Sequence, residues 1–236
     1  MLPTVPIVLS VGGSIIVPKT GINAPYLETL RALIQRQVRA GKRFILVVGG
    51  GHTARAYQTA ASAIVRLAPE DVDWLGIHAT RLNGHLLRGV FRAIALPHVV
   101  KDPTRRMAWH EPVLIAAGWK PGWSTDYVAV RLARKYGARR IFNLTNIDAV
   151  YDKDPARFKT AEPYERITWK DFRKLVGSTW SPGSNAPFDP IASKLAQRWG
   201  QEVVIMDGRD LKNFQASLEG KSFRGTVINS TDSSLG

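Results

Sequence analysis

The chain has 236 residues, 44% of them apolar, which is long enough for one large α/β core and shows no linker-like or low-complexity stretch. It holds no cysteine, which excludes disulfides, thiolate zinc sites and a thiol nucleophile. Lysine and arginine number 33 against 19 acidic residues, a formal net charge of +14 that draws anions such as nucleotides, nucleic acid or acidic membranes.

The basic residues are scattered, as in Arg31, Arg36, Arg39, Lys42, Arg43 and again Arg131, Arg134, Lys135, Arg139 and Arg140. On helices most would lie on solvated faces, and no nucleic-acid reader motif accompanies them, so nucleic acid is not the expected partner. No basic segment followed by an apolar one opens the chain, and no run approaches the roughly 18 apolar residues of a membrane span. The expectation is a soluble cytoplasmic protein with one domain over residues 1–236.

Ile7-Val8-Leu9-Ser10-Val11 reads as a buried strand that ends in Gly12-Gly13-Ser14. A helix follows from about Ala24 to Ala40, with Asn23 as N-cap, Pro25 in the first turn and Gly41 at its close. Its Leu27, Leu30, Ile34 and Val38 recur at helical spacing and should face the core. Phe44 to Val48 is the next strand, broken by Gly49-Gly50-Gly51, and Thr53 to about Val65 reads as a helix. A longer helical pattern spans about Val72 to Phe91. A strand near Val113 to Ala117, a loop, a helix from Thr125 to Tyr136 and a strand from Ile141 to Leu144 follow.

Thr168 and Asp171 make a capping-box-like pair before a short helix, and Asp189-Pro190 opens another that Gly200 ends. Val203 to Met206 is a strand, Asp210 to about Leu218 a helix, and Gly225 to Ile228 a last strand. Strands alternating with helices, with apolar runs uninterrupted, predict a mostly parallel sheet covered on both faces. Ligands then gather at the carboxyl ends of the strands, where this chain keeps its glycines.

Four strand-to-loop junctions carry the chemistry. Gly12-Gly13-Ser14 is small enough for a ligand to approach the backbone, or is simply a tight turn. Gly49-Gly50-Gly51-His52-Thr53-Ala54-Arg55 leaves amides open at a helix N-terminus, a natural place for phosphate, with Arg55 one turn in. It is neither a Walker A loop nor a dinucleotide fingerprint, because both spacings are absent. Gly118 to Asp126 again joins strand to helix. In it Ser124 or Thr125 can cap the helix or bind phosphate, and Trp119 and Trp123 can cover a base or fill gaps. Thr145, Asp148, Tyr151 and Asp154 follow the Ile141–Leu144 strand and can meet a base, a ribose or metal-bound waters, or form an ordinary Asp-Pro turn. The histidines show no metal-ligand spacing; His78 and His85 are seven residues apart.

In order, these junctions resemble the amino acid kinase family, and within it the archaeal uridylate kinases. The residues that carry the resemblance are Val11-Gly12-Gly13-Ser14, Val48 to Gly51 with Ala54-Arg55, Asp73 with Gly76-Ile77 and Ala79 to Asn83, Pro121-Gly122 with Ser124-Thr125-Asp126, Thr145 to Asp148 with Val150-Tyr151 and Asp154-Pro155, and Asp189-Pro190 with Ala192 and Lys194. The resemblance implies a three-layer α/β/α sandwich around a mostly parallel eight-stranded sheet. It implies transfer of a phosphoryl group from ATP to UMP, with Mg²⁺ accompanying ATP and no metal held by the protein alone. It further implies a homo-oligomer, commonly a hexamer built from dimers.

By the same resemblance Gly13 and Ser14 would meet the ATP phosphates, with Gly51 and Arg55 beside them. Gly50, Asp73 and the loop Trp119, Lys120, Pro121, Gly122, Trp123, Ser124 and Thr125 would hold UMP. Thr145, Tyr151 and Asp154 would hold the adenosine end. Arg55 is assigned to transition-state charge and Asp126 to organising the site. Many relatives carry lysine where Ser10 stands, glycine at Ala149, and a smaller polar residue at Trp123. A kinase of another small phosphate or carboxylate, and a non-catalytic nucleotide or oxyanion binder, keep the same fold.

Overall fold

In chain order the elements are β1 (Ile7–Val11), α1 (Gly13–Ile16), α2 (Ala24–Arg39), β2 (Phe44–Val48), α3 (Gly51–Ile64), α4 (Pro69–Val90), β3 (Val113–Ala116), α5 (Thr125–Lys135), β4 (Arg140–Thr145), β5 (Val150–Tyr151), β6 (Pro163–Tyr164), β7 (Arg166–Thr168), α6 (Trp169–Val176), α7 (Pro190–Arg198), β8 (Glu202–Asp207), α8 (Leu211–Leu218) and β9 (Thr226–Asn229). They come from a computed structural model that describes residues 4–105, 107–177 and 186–230.

The central sheet has seven strands in the order β3-β2-β1-β4-β8-β9-β7. Neighbours from β3 to β8 pair in parallel, β9 runs antiparallel to β8, and β7 is parallel to β9. β5 and β6 form a separate antiparallel pair. The resemblance implied eight strands. The segment after α4 runs along the free edge of β3, with Leu96 N–H donating to Val113 O at 2.9 Å and Val100 N–H to Ile115 O at 2.8 Å. In a regular ladder His98 would donate to Ile115 O; Val100 does so instead, two residues late, so only two isolated bridges form and not an eighth strand.

Strand alternation splits the core in two. Leu9, Val11, Leu46 and Val48 face Leu27, Leu30 and Ile34 of α2, Leu87 of α4 and Phe214 of α8. Val8, Ile45 and Val47 face Val128 and Leu132 of α5, Phe172 of α6 and Ala192 and Ala196 of α7. Both faces of the sheet are covered, which explains why its central strands are apolar on both faces and not at alternate positions only, as in β2. Each fully buried aliphatic side chain contributes about 1.5–3 kcal/mol.

The helix starts follow the sequence cues. Asn23 accepts the Tyr26 N–H at 3.2 Å, Ser124 that of Tyr127 at 3.1 Å, and Thr168 that of Asp171 at 3.1 Å, each cap typically worth ~1 kcal/mol. The long helix starts three residues before the apolar pattern, because Pro69 suits a first turn and Glu70 and Asp71 favour its positive end. The two-residue strands β5 and β6, the three-residue β7 and the four-residue α1 are too short to leave a periodic trace in the sequence. Among the described residues no helix is long and apolar enough to cross a membrane.

Candidate active site

Because β3, β2, β1, β4 and β8 are parallel neighbours, their carboxyl ends share one edge, with the β1 exit at its middle. The Gly12 N–H donates to Leu144 O of β4 at 2.8 Å, and the Gly49 N–H to Val11 O at 3.0 Å. A Cβ on Gly13 would stand 2.1 Å from Gly51 N, and one on Gly51 2.2 Å from Gly13 O. Gly51 also has φ +64°, a conformation that disfavours side chains. The glycines of the first two junctions are thus required by backbone packing on backbone, and Gly13 and Gly51 are both buried. Ser14 follows in α1, half-buried, between the two sides of the edge.

On the β2 and β3 side lies a cleft of about 240 Å³. Gly50, Gly51, Arg55, Asp73, Trp123, Ser124 and Thr125 line it, so sites far apart in the chain converge here. Trp119, Lys120, Pro121 and Gly122 stand outside its lining. The Trp119 ring lies parallel to Tyr127 at 6.4 Å between centroids, Trp123 meets the same tyrosine at 4.1 Å, and Lys120 Nζ sits 4.5 Å above Trp119. Asp73 accepts the Gly122 N–H at 2.8 Å, which ties the loop to α4. The Ser124 hydroxyl oxygen is engaged in capping α5.

Other participants were given no site role by the sequence reading. Gln58, and Gly76, Ile77, Thr80 and Gly118 from the motifs already quoted, also line this cleft. Gly118 N–H donates to Thr80 Oγ1 at 2.8 Å, and Asn83 Nδ2 donates to Gly49 O and Gly50 O at 2.9 and 3.1 Å. Their signal was present: Thr80 and Asn83 are polar residues on the inward face of an otherwise apolar helical pattern, where a buried polar group needs a partner.

A second cleft, about 810 Å³, opens beyond β4 and β8. Tyr151 and Asp154 line it together with Asp148, Asp207, Arg209 and Arg224. The Tyr151 hydroxyl donates to Asp148 Oδ1 at 3.1 Å, and Arg224 pairs with the same carboxylate. Arg209 grips Asp207 at 2.7 Å and holds that carboxyl below its usual range. Thr145 ends β4 outside the lining, its hydroxyl donating to Asn146 Oδ1 at 3.3 Å. Arg209, next to Gly208 after β8, and Arg224, next to Gly225 before β9, carried no further cue.

Asp126 lines neither cleft. It projects from the first turn of α5 and accepts the Ser10 hydroxyl of β1 at 2.9 Å and the Asp189 N–H at 3.2 Å. Burial, then the nearby Asp189 charge, pushes its pKa up to about 7. Burial raises Asp189 as well. A hydroxyl donates to Asp126, and no cation is among the groups that shift either carboxyl. Among the described residues no group of three or more His, Asp or Glu is arranged to hold a metal.

The family model described as the amino acid kinase family matches residues 6–207. The uridylate kinase of Methanospirillum hungatei is 36% identical over 231 residues, covering 96% of this chain and 95% of that protein. That of Hyperthermus butylicus is 32% identical, covering 96% and 99% respectively. The crystal structure of uridylate kinase from Archaeoglobus fulgidus superposes with a TM-score of 0.75 at 29% identity, over 94% of this chain and 99% of that one. The UMP kinase structure from Bacillus anthracis shares the fold with a TM-score of 0.78 at 20% identity. The match spans most of the chain, and the chain belongs to the amino acid kinase family.

Proposed function

We propose that the protein is a UMP kinase, which transfers the γ-phosphoryl group of ATP to UMP and yields ADP and UDP. The observation that carries this reading is the pair of clefts on one sheet edge, either side of the β1 turn. The small cleft suits the acceptor nucleotide and the large one the adenosine end of ATP, so the two phosphate tails meet over Gly12-Gly13-Ser14. Phosphoryl transfer needs alignment and charge neutralisation more than covalent help. The acceptor is already an anionic oxygen and needs no strong base.

Arg55, on the first turn of α3, supplies positive charge to the transferring group, and the N-terminal amides of α3 add theirs. Asp73 and the Trp123 to Thr125 segment orient UMP; Tyr151 and Asp154 orient ATP; Asp126 fixes β1 against α5. Mg²⁺ enters with ATP, since such ions need only one or two protein carboxylates beside phosphate oxygens. Asp126 and Asp189 line neither cleft, so the ion would be held chiefly by the ATP phosphates, where it would supply charge neutralisation.

The test is ADP release with Mg-ATP and UMP, CMP or dUMP as acceptor. UMP-dependent turnover is expected, and its absence overturns the reading. Ser10, a hydroxyl where many relatives carry lysine, favours one second reading: a protein that binds both nucleotides without turnover. The same assay, run beside nucleotide binding, separates the two.

We also propose assembly into a hexamer built as a trimer of dimers. Beyond Gly51, α3 buries no residue, and Tyr57, Ile64, Val65 and Leu82 are 64%, 82%, 56% and 62% exposed. Such an apolar face on α3 and α4 fits a second copy of the chain. Sedimentation at micromolar concentration should show oligomers; a monomer would sink this part alone.

A further inference from the structure

The polar face of α4 touches both walls of the small cleft. Asn83 holds the carbonyls of Gly49 and Gly50, while Thr80 and Asp73 hold the amides of Gly118 and Gly122. Arg81 completes this set, although it does not line the cleft. Its Nε donates to Gly118 O at 3.3 Å and its Nη2 to Trp119 O at 2.7 Å, residues 37 and 38 positions further along the chain. The guanidinium is half-buried, with the Trp74 ring 5.7 Å away, so it is not a freely solvated surface cation.

We propose that Arg81 is a positioning residue for the acceptor: its fork on two successive carbonyls sets the loop that carries Trp123, Ser124 and Thr125 against the Gly50-Gly51 wall. This rests on the UMP kinase reading for what occupies the cleft, but not for the loop's dependence on Arg81. The physical reason is geometric. The loop from Gly118 to Ser124 has no regular structure, so its placement depends on side chains from outside it. An amide bound to Thr80 and another bound to Asp73 fix two points; the two carbonyls held by one planar fork fix the peptide planes next to the first. A lysine has a single donor centre and cannot hold both carbonyls in that geometry.

Two measurements on the full chain test this. In steady-state kinetics, Arg81→Met should raise the KM for UMP about tenfold, the size expected for losing a charge-assisted hydrogen bond. The KM for ATP should stay within about twofold, and Arg81→Lys should fall between wild type and Arg81→Met. A purely structural role would move both KM values together or lower only thermal stability, and either result overturns the proposal. In hydrogen–deuterium exchange without any nucleotide, the peptide covering residues 117–123 should exchange faster in Arg81→Lys, while β1 and β4 peptides should match wild type. Unaltered exchange there overturns the proposal. If the wild type itself does not turn over UMP, the functional reading fails and the exchange measurement still decides the role of Arg81.

Discussion

The two clefts are built by opposite strategies. The small one is walled by glycine turns and by loop backbone tied to α4 through Asp73, Thr80, Arg81 and Asn83. The large one is edged by side-chain ion pairs, Arg209 with Asp207 and Arg224 with Asp148, whose arginines are 63% and 76% exposed. Side chain-to-backbone ties fix a loop at little cost in mobility elsewhere. Exposed ion pairs are weakened by water and salt, and can exchange their partner for a ligand phosphate. On the proposed reading, the acceptor would then meet the more firmly tied cleft and the donor the one edged by exchangeable ion pairs.

The rigid side should break hardest. Gly51→Ala places a methyl 2.2 Å from Gly13 O at φ +64°. It should cost about 3 kcal/mol of stability in urea unfolding and abolish turnover, since both turns must part. If the alanine variant folds and works normally, the tight packing of the β1 and β2 turns is wrong. Arg55→Ala should lower kcat about a hundredfold or more while UMP binding, measured by calorimetry, weakens far less. An equal loss in both would make Arg55 a binding group only.

Asp126 gives the pH test. Its folded pKa of about 7 lies above its ordinary 3.8, so the folded state holds the proton more tightly. Its stabilising contribution is complete below about 3.8 and is lost as pH rises through about 7. One proton limits that slope to about 1.4 kcal/mol per pH unit. Asp126→Asn should remove it, so the difference in unfolding free energy between variant and wild type should grow in the variant's favour from pH 4 to 8. A pH-independent difference would mean that Asp126 is ionised and neutralised in the fold. Smallest is Arg224→Ala: under about 1 kcal/mol of stability, with a rise in KM for ATP that shrinks as salt is added. A salt-independent rise would show that the donor side is as firmly built as the acceptor side.

Much of the fold was readable from residue order. Phe44 to Val48 and Val203 to Met206 are apolar without interruption, Ile7 to Val11 is broken only by Ser10, and Asn23, Ser124 and Thr168 cap the helices they precede. The glycine-marked junctions also pointed to the working edge of the sheet. What resisted reading was short or remote. β5 to β7 are two or three residues long, and a two-residue slip between Leu96 and Val100 turns an implied eighth strand into isolated bridges. The contacts of Trp119, which stacks on Tyr127 beneath Lys120, are likewise set by residues outside its loop.

Local sequence determined the elements, because period, capping and turn chemistry act over a few residues. It also marked which strand ends lack side chains. Tertiary structure alone decided that Gly13 must touch Gly51, that Ser10 meets Asp126 across 116 positions, and that Arg81 reaches past its own helix to hold Trp119. Those contacts depend on strand order and helix register, which fix distances between residues that no short-range pattern connects.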